Sequence, residues 1–361
     1  MESSVQITQT DRKRGGEMKT NLIVKKLRGN SFLLFVTIVM FLLMYVAGVI
    51  GYTDKGFGTM QTFLNMLIDN AGLIIVAAGM TVVLITGGID ISVGSVVAVV
   101  CMMLADLMQN KGVNAWMAIA MVLVFGVIFG TVQGWLVAYL KLQPFIVTLA
   151  GMFFCRGLTA MISVNQIAIT NNKTFLAIAH KNIKIFMGAT VNKRGIKLYP
   201  FVHPSVIIAL VALLAVWYIC KYTKFGRSLF AVGGNPQSAL LMGINVRKVT
   251  MNAYVLNGFL ASLGGLAFCL NTTSGFVEQA KGFEMEAIAS AVIGGTLLTG
   301  GVGTVIGTFF GVLIKATIET FIRCNGTLSS WWNKIVLSAL LCFFIVLQSL
   351  FAILKEKRKG N

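Results

Sequence analysis

The chain has 361 residues, 57% of them hydrophobic and only 12% charged. Soluble domains carry about 25% charged residues, so a water-soluble fold of this size lacks the surface it needs. The net charge is +18, from 30 Lys and Arg against 12 Asp and Glu, but the basic residues gather at the ends of apolar runs, which marks membrane flanks rather than a nucleic-acid face.

Residues 1–30 are polar and basic, with Arg12, Lys13, Arg14, Lys19, Lys25, Lys26 and Arg28. They read as a cytoplasmic N-terminal segment, because Lys and Arg resist translocation. Ser31 to Ile50 follows as twenty residues without a charge, and roughly 20 apolar residues cross a bilayer as a helix. The run is long for a signal peptide and no small-residue cleavage site follows it, so it is expected to stay as the first membrane helix. Further candidate spans fall near 63–86, 94–109, 115–140, 144–163, 204–221, 250–270, 285–299, 303–323 and 335–354. The pattern predicts an all-α polytopic membrane protein with about ten transmembrane or re-entrant helices over 31–354. The tail 355–361 holds Lys355, Lys357, Arg358 and Lys359 and reads as cytoplasmic. These basic flanks suit contact with anionic membrane lipid. The pieces at 94–109 and 285–299 are short for full crossings, and a broken helix is tolerated only where protein or a water-filled cavity covers its backbone.

Two polar connections, 165–203 and 221–249, flank the span near 204–221 and so lie on opposite sides. The first carries six basic residues and the second five, so charge does not choose between them. Six candidate spans precede the second connection, which places it inside if the N-terminus is inside; one miscounted re-entrant piece reverses the result. No Asp or Glu occurs between Asp106 and Glu278, leaving that stretch without a carboxylate for acid–base chemistry or a proton relay.

Gly126, Gly130 and Gly134 recur at a spacing of four, as do Gly303, Gly307 and Gly311. Each trio predicts a smooth helix face for close packing. Gly87-Gly88 ends one apolar run and Gly294-Gly295 interrupts another. Glycine-interrupted segments in two halves of a transporter surround a transport site. The segment Thr86-Gly87-Gly88-Ile89-Asp90-Ile91-Ser92-Val93-Gly94-Ser95 sets a carboxylate and hydroxyls between two apolar runs. Asp90 or Ser92 is placed to cap the next helix, and an ionisable residue at membrane depth is also a functional candidate. The expected substrate path runs along Gly87, Gly88, Asp90, Ser92, Ser95, Gly294, Gly295 and Thr296.

Glu284 and Glu286 open an apolar run, where negative charge suits a helix N-terminus. Lys315 and Glu319 stand four apart and are expected to pair. Arg156, near the end of a run, is expected to snorkel to an interface. The six cysteines form no C-x-x-C pair and sit in or beside apolar stretches, so neither a disulfide framework nor a zinc site is expected. His180 and His203 are the two histidines; no metal spacing, cofactor signature or catalytic set emerges. No G-x-x-x-x-G-K-[ST] sequence is present, so ATP is not cradled by that loop here. In the second connection, Asn235 is expected to cap a short helix with Pro236 at its first position, suited to docking in a partner's groove.

Several of these segments resemble the ATP-binding-cassette sugar permeases of the ribose and galactofuranose type. The run Gly87 to Ser95 carries the resemblance, with Pro144-Phe145-Ile146-Val147-Thr148-Leu149 followed by Arg156-Gly157. Glu286-Ala287-Ile288-Ala289 and Ile293-Gly294-Gly295-Thr296 match as well, and Gly326-Thr327-Leu328-Ser329-Ser330-Trp331-Trp332 looks most like the galactofuranose branch. Phe225 to Val246 resembles the family's cytoplasmic coupling segment. Gln237-Ser238-Ala239 with Gly243 is similar to its E-A-A-x-x-x-G element, with Gln237 in place of Glu. The coupling residues implied are Gly233, Gly234, Asn235, Gln237, Ala239 and Gly243. The resemblance implies a multi-pass permease subunit of the bacterial cell membrane that imports a small sugar. It also implies a separate ABC ATPase subunit, a second permease subunit and an extracytoplasmic sugar-binding protein. The alternatives are a permease for another small solute such as a branched-chain amino acid, or an ion-coupled secondary transporter, which the acid-free middle disfavours.

Overall fold

A computed structural model describes residues 31–186, 188, 190–191, 197–327, 329 and 331–357. The expected N-terminal segment 1–30 and residues 358–361 of the tail lie outside the described residues. Helix α1 is Ser31–Gly51, α2 Met60–Asp69 and α3 Ala71–Ile85. Helix α4, Val93–Ala105, is prolonged by a π-helical turn over Asp106–Asn110. Then come α5 (Ala115–Ala138), α6 (Pro144–Ile162), the short α7 (Lys173–Ala179) and α8 (Pro204–Tyr222). After them run α9 (Lys224–Gly234), α10 (Pro236–Leu241), α11 (Val246–Thr272), α12 (Phe283–Ile293), α13 (Val305–Asn325) and α14 (Trp331–Lys357).

The helix starts follow the sequence chemistry. Asn114, Asn172, Thr223, Asn235, Asn245 and Thr304 each accept a hydrogen bond from a backbone N–H of the turn they open. Three of the chain's four prolines, Pro144, Pro204 and Pro236, open α6, α8 and α10, where a missing N–H costs nothing. The connection 165–203 is not wholly helical. Its two-residue strands pair antiparallel, Ile183 with Val202 and Thr190 with Leu198, and Ile167 pairs with Gly275 from the loop before α12.

Helix α11 is the hub, packing most extensively on α5 and then on α3 and α4. Every residue of α3 is buried, which explains why its sequence has no polar stripe. With lipid as apolar as leucine, close backbone approach holds such helices together. A Cβ on Gly130 would lie 2.5 Å from the carbonyl oxygen of Tyr254 in α11. Gly126 and Gly134 face α11 in the same way, while Gly307 and Gly311 abut Gly294 and Ser290 at α12. The first trio is a packing seam as expected; of the second, Gly307 and Gly311 form the seam, while Gly303 falls in the loop before α13 and meets Ile85 and Thr296.

The expectation of about ten transmembrane or re-entrant helices is somewhat high. Among the described residues, seven helices are long and apolar enough to cross, or eight if α2 and α3 count as one span bent by 57°. The segment expected at 285–299 is the 11-residue α12, ended by the glycine pair, and is too short to cross. The piece at 94–109 is longer than expected, because the π turn carries α4 to Asn110 and makes an 18-residue span. The run at 63–86 is not one rod but breaks at Asn70.

Candidate functional site

The two glycine breaks fold into one region. The first, Thr86 to Ser92, links α3 to α4; the second, Gly294 to Thr304, links α12 to α13. They touch directly, since Gly301 N–H donates to the carbonyl of Ile85 at 2.8 Å. Gly87, Gly300 and Gly301 hold φ of +80°, +85° and +74°, which L side chains rarely adopt.

Asp90 lies at the centre of the first break and is 2% exposed. Its Oδ1 accepts from the Ser92 N–H at 2.9 Å and the Ser92 hydroxyl at 2.6 Å. Its Oδ2 accepts from Asn257 Nδ2 of α11 at 2.8 Å. Gln133 of α5 donates to Ser92 Oγ at 3.0 Å, and Thr148 of α6 donates to the Ile89 carbonyl at 3.3 Å. The break is therefore tied to three neighbouring helices. Of the two helix caps considered for α4, neither forms as expected: Ser92 is the cap residue but makes no side-chain cap bond, and Asp90 stabilises the turn ahead of the helix instead. Asn257 and Gln133 were not singled out from sequence, and Thr148 entered only as part of the Pro144 to Leu149 resemblance. Their signal was available, because a lone amide inside an apolar run needs a partner across helices.

Among the expected path residues, Gly88, Asp90, Ser92, Ser95, Gly294, Gly295 and Thr296 are buried inside the chain, and Gly87 is exposed. Gly88 lies against Tyr254, whose ring leaves no room for a larger residue. The second break is braced from α1, where Thr37 donates to the Ile293 carbonyl at 2.7 Å.

The expected coupling residues form a separate surface that joins the breaks from behind. Asn235 Oδ1 accepts from the Ser238 N–H at 2.9 Å and Pro236 opens α10. Ala239 is buried, whereas Gln237 and Gly243 are exposed, and Gly243 turns the chain with φ +79°. Leu240, Leu241 and Met242 stand 64%, 89% and 67% exposed. Gly233 and Gly234, at the end of α9, press on the backbone of Ile85 and of Gly301.

A third group sits at the bend between α2 and α3. Lys315 pairs with Glu319 at 2.6 Å, as expected, and also with Glu286 at 3.1 Å and with Asn70 Oδ1 at 3.0 Å. Glu286, expected only as a favourable helix-start charge, is thus a second carboxylate on one buried ammonium. Arg156 does not snorkel; its guanidinium donates to the carbonyls of Val277 and Gln279 at 2.7 and 2.8 Å and clamps the loop before α12. In that loop Lys281 pairs with the exposed Glu278 and holds its carboxyl below the ordinary value. Among the described residues no three His, Cys, Asp or Glu side chains gather to hold a metal ion.

The chain matches the family model described as branched-chain amino acid transport system / permease component over residues 62–345. It is 41% identical over 328 residues to the inner membrane ABC transporter permease protein YjfF of Escherichia coli (strain K12), covering 91% of this chain and 95% of that protein. To the fructose import permease protein FruG of Bifidobacterium longum (strain NCC 2705) it is 34% identical over 314 residues, covering 86% and 88%. To the ribose import permease protein RbsC of Escherichia coli (strain K12) it is 32% identical over 308 residues, covering 85% and 91%. No solved structure matches it significantly.

Proposed function

The chain belongs to the branched-chain amino acid transport system / permease component family, and from that premise we propose that it imports a small sugar as the permease subunit of an ATP-binding-cassette transporter. It is a multi-pass cell-membrane protein and a transport subunit. Sugar is favoured over a branched-chain amino acid because the relatives include proteins named as fructose and ribose import permeases, matched over most of their length.

The observation that carries the need for a separate motor is the α9–α10 surface. Leu240, Leu241 and Met242 are apolar, exposed and outside the spanning helices. A short helix with an apolar tip docks into a partner's groove, and the partner is the ABC ATPase. On this reading the segment is cytoplasmic, which the even number of spans before it supports when α2 and α3 count as one and the N-terminus is inside. A second permease subunit and an extracytoplasmic sugar-binding protein complete the assembly.

The solute route passes the two breaks on the side where Gly87 and Thr299 are exposed, at the face shared with the second permease subunit. Asp90, Ser92, Ser95, Gly294, Gly295 and Thr296 shape that route from behind, fixing the interrupted helices that border it. The reading is tested by copurification from membranes. Wild-type chain is expected to retain an ATPase and Leu241→Asp to lose it while remaining monodisperse; equal retention by the variant contradicts the docking surface.

A further inference from the structure

Three stretches of backbone meet without an intervening side chain: the end of α3 with Gly87, the turn Gly300–Gly301, and the end of α9 at Gly233–Gly234. A Cβ on Gly233 would overlap the Ile85 carbonyl and lie 2.5 Å from the N of Gly301. A Cβ on Gly300 would lie 2.8 Å from the N of Gly87 and 3.0 Å from the O of Gly233. A Cβ on Gly301 would lie 2.9 Å from the Cα of Gly234. The Ile85 carbonyl, at a helix end where carbonyls lack intrahelical partners, takes the Gly301 N–H.

We propose that this glycine junction is the transmission joint of the transporter, delivering motion of the docking segment to both interrupted helices at once. The inference rests on the reading of the chain as an ATP-driven permease and adds the route by which force enters the membrane. The route is set by which contacts are stiff. Helix α10 itself makes few contacts with the spanning helices, whereas α9 packs on α8, α10, α11 and α3. Motion of α10 reaches α3 and the two breaks through α9 and its Gly233–Gly234 end. Backbone pressed on backbone cannot absorb displacement by changing rotamers, as long side chains do. The push on Ile85 reaches the turn around Asp90, and the push on Gly301 reaches the turn after α12. The two breaks move together because one hydrogen bond joins them.

Gly233 and Gly300 are thus positioning residues, and the ratio of uptake to hydrolysis reports on them where folding alone does not. In a complex purified with its ATPase and reconstituted in vesicles, Gly233→Ala is expected to keep ATP hydrolysis within about twofold. It is expected to lower uptake of labelled sugar at least tenfold. Gly51→Ala, at the end of α1 and away from the junction, whose Cβ meets nothing within 4 Å, is expected to keep both. Unchanged uptake per ATP in Gly233→Ala overturns the joint. In the detergent-solubilised chain without any partner, Gly233→Ala is expected to speed amide exchange at 85–91 and 297–301 together; unchanged exchange there also overturns it, whatever drives transport. If Gly233→Ala does not fold, exchange in the native complex decides. ATP with vanadate must alter α9–α10 and both breaks in concert, and a change confined to α9–α10 refutes the joint. A purified chain that retains no ATPase contradicts the importer reading instead, and the partner-free exchange still judges the junction.

Discussion

At the scale of single residues, Asp90 behaves as an internal fastener. Its two oxygens receive three donors, and replacing it with Ala leaves the Asn257 amide and the Ser92 hydroxyl without their acceptor. A buried donor left unmade costs about 1–3 kcal/mol, so Asp90→Ala is expected to cost about 3 kcal/mol in thermal unfolding of the detergent-solubilised protein. Asp90→Asn keeps an acceptor and is expected to cost less than half as much. Because Asp90 and Asn257 share one hydrogen bond, Asp90→Ala with Asn257→Ala is expected to cost less than the sum of the single changes; strict additivity contradicts the fastener. Gly88→Leu has no such remedy, since the side chain would collide with Tyr254, and is expected to abolish uptake. The sequence pointed to Asp90 as a cap or a path residue; the structure buries it and ties it to Ser92 and Asn257. What could not be read was the identity of its partners. Asn257 lies 167 positions from Asp90, and Gln133, which donates to Ser92, lies 41 positions from that serine; nothing local in a chain announces which distant helix supplies an amide.

The helices show where a one-dimensional pattern stops being informative. Apolar length located α1, α5, α6, α8, α11 and α13 to within a few residues, because lipid thickness sets helix length directly. It overcounted at 285–299, where an apolar run is the short α12, buried from Ala289 to Ile293 but with Met285 exposed at its start. It missed the bend at Asn70, since Asn at that place reads as an ordinary polar interruption; in space it accepts from the Lys315 ammonium. That ammonium links α13 to α12 through Glu286 and to the α2–α3 bend through Asn70. Removing one partner of a buried ionic group leaves uncompensated charge and costs about 3–5 kcal/mol. Lys315→Met is therefore expected to destabilise by that amount, read as a lowered melting temperature. Adding Glu286→Gln is expected to recover part of the loss. No recovery would mean that the two helices are held by packing alone. The pairing Lys315 with Glu319 was legible from the spacing of four, but Glu286 joins only because the second break brings α12 alongside α13.

For the whole molecule, membrane residence and family were plain in composition and motif, because a low charge content and glycine-interrupted apolar runs are properties of the chain as written. The side of each loop was not, because both long connections carry similar basic charge. The architecture that results is a buried core of α3, α4 and α11, two interrupted helices meeting at one junction, and an exposed apolar tip at Leu240 to Met242 set off from the spanning helices. The central claim is that the chain forms the route while another polypeptide supplies the energy. It is tested most directly by loading labelled pentoses and hexoses outside vesicles that contain either the chain alone or the chain with its copurified ATPase and sugar-binding protein. Accumulation is expected only in the complete assembly and only with ATP; accumulation by the chain alone, without nucleotide, contradicts the account.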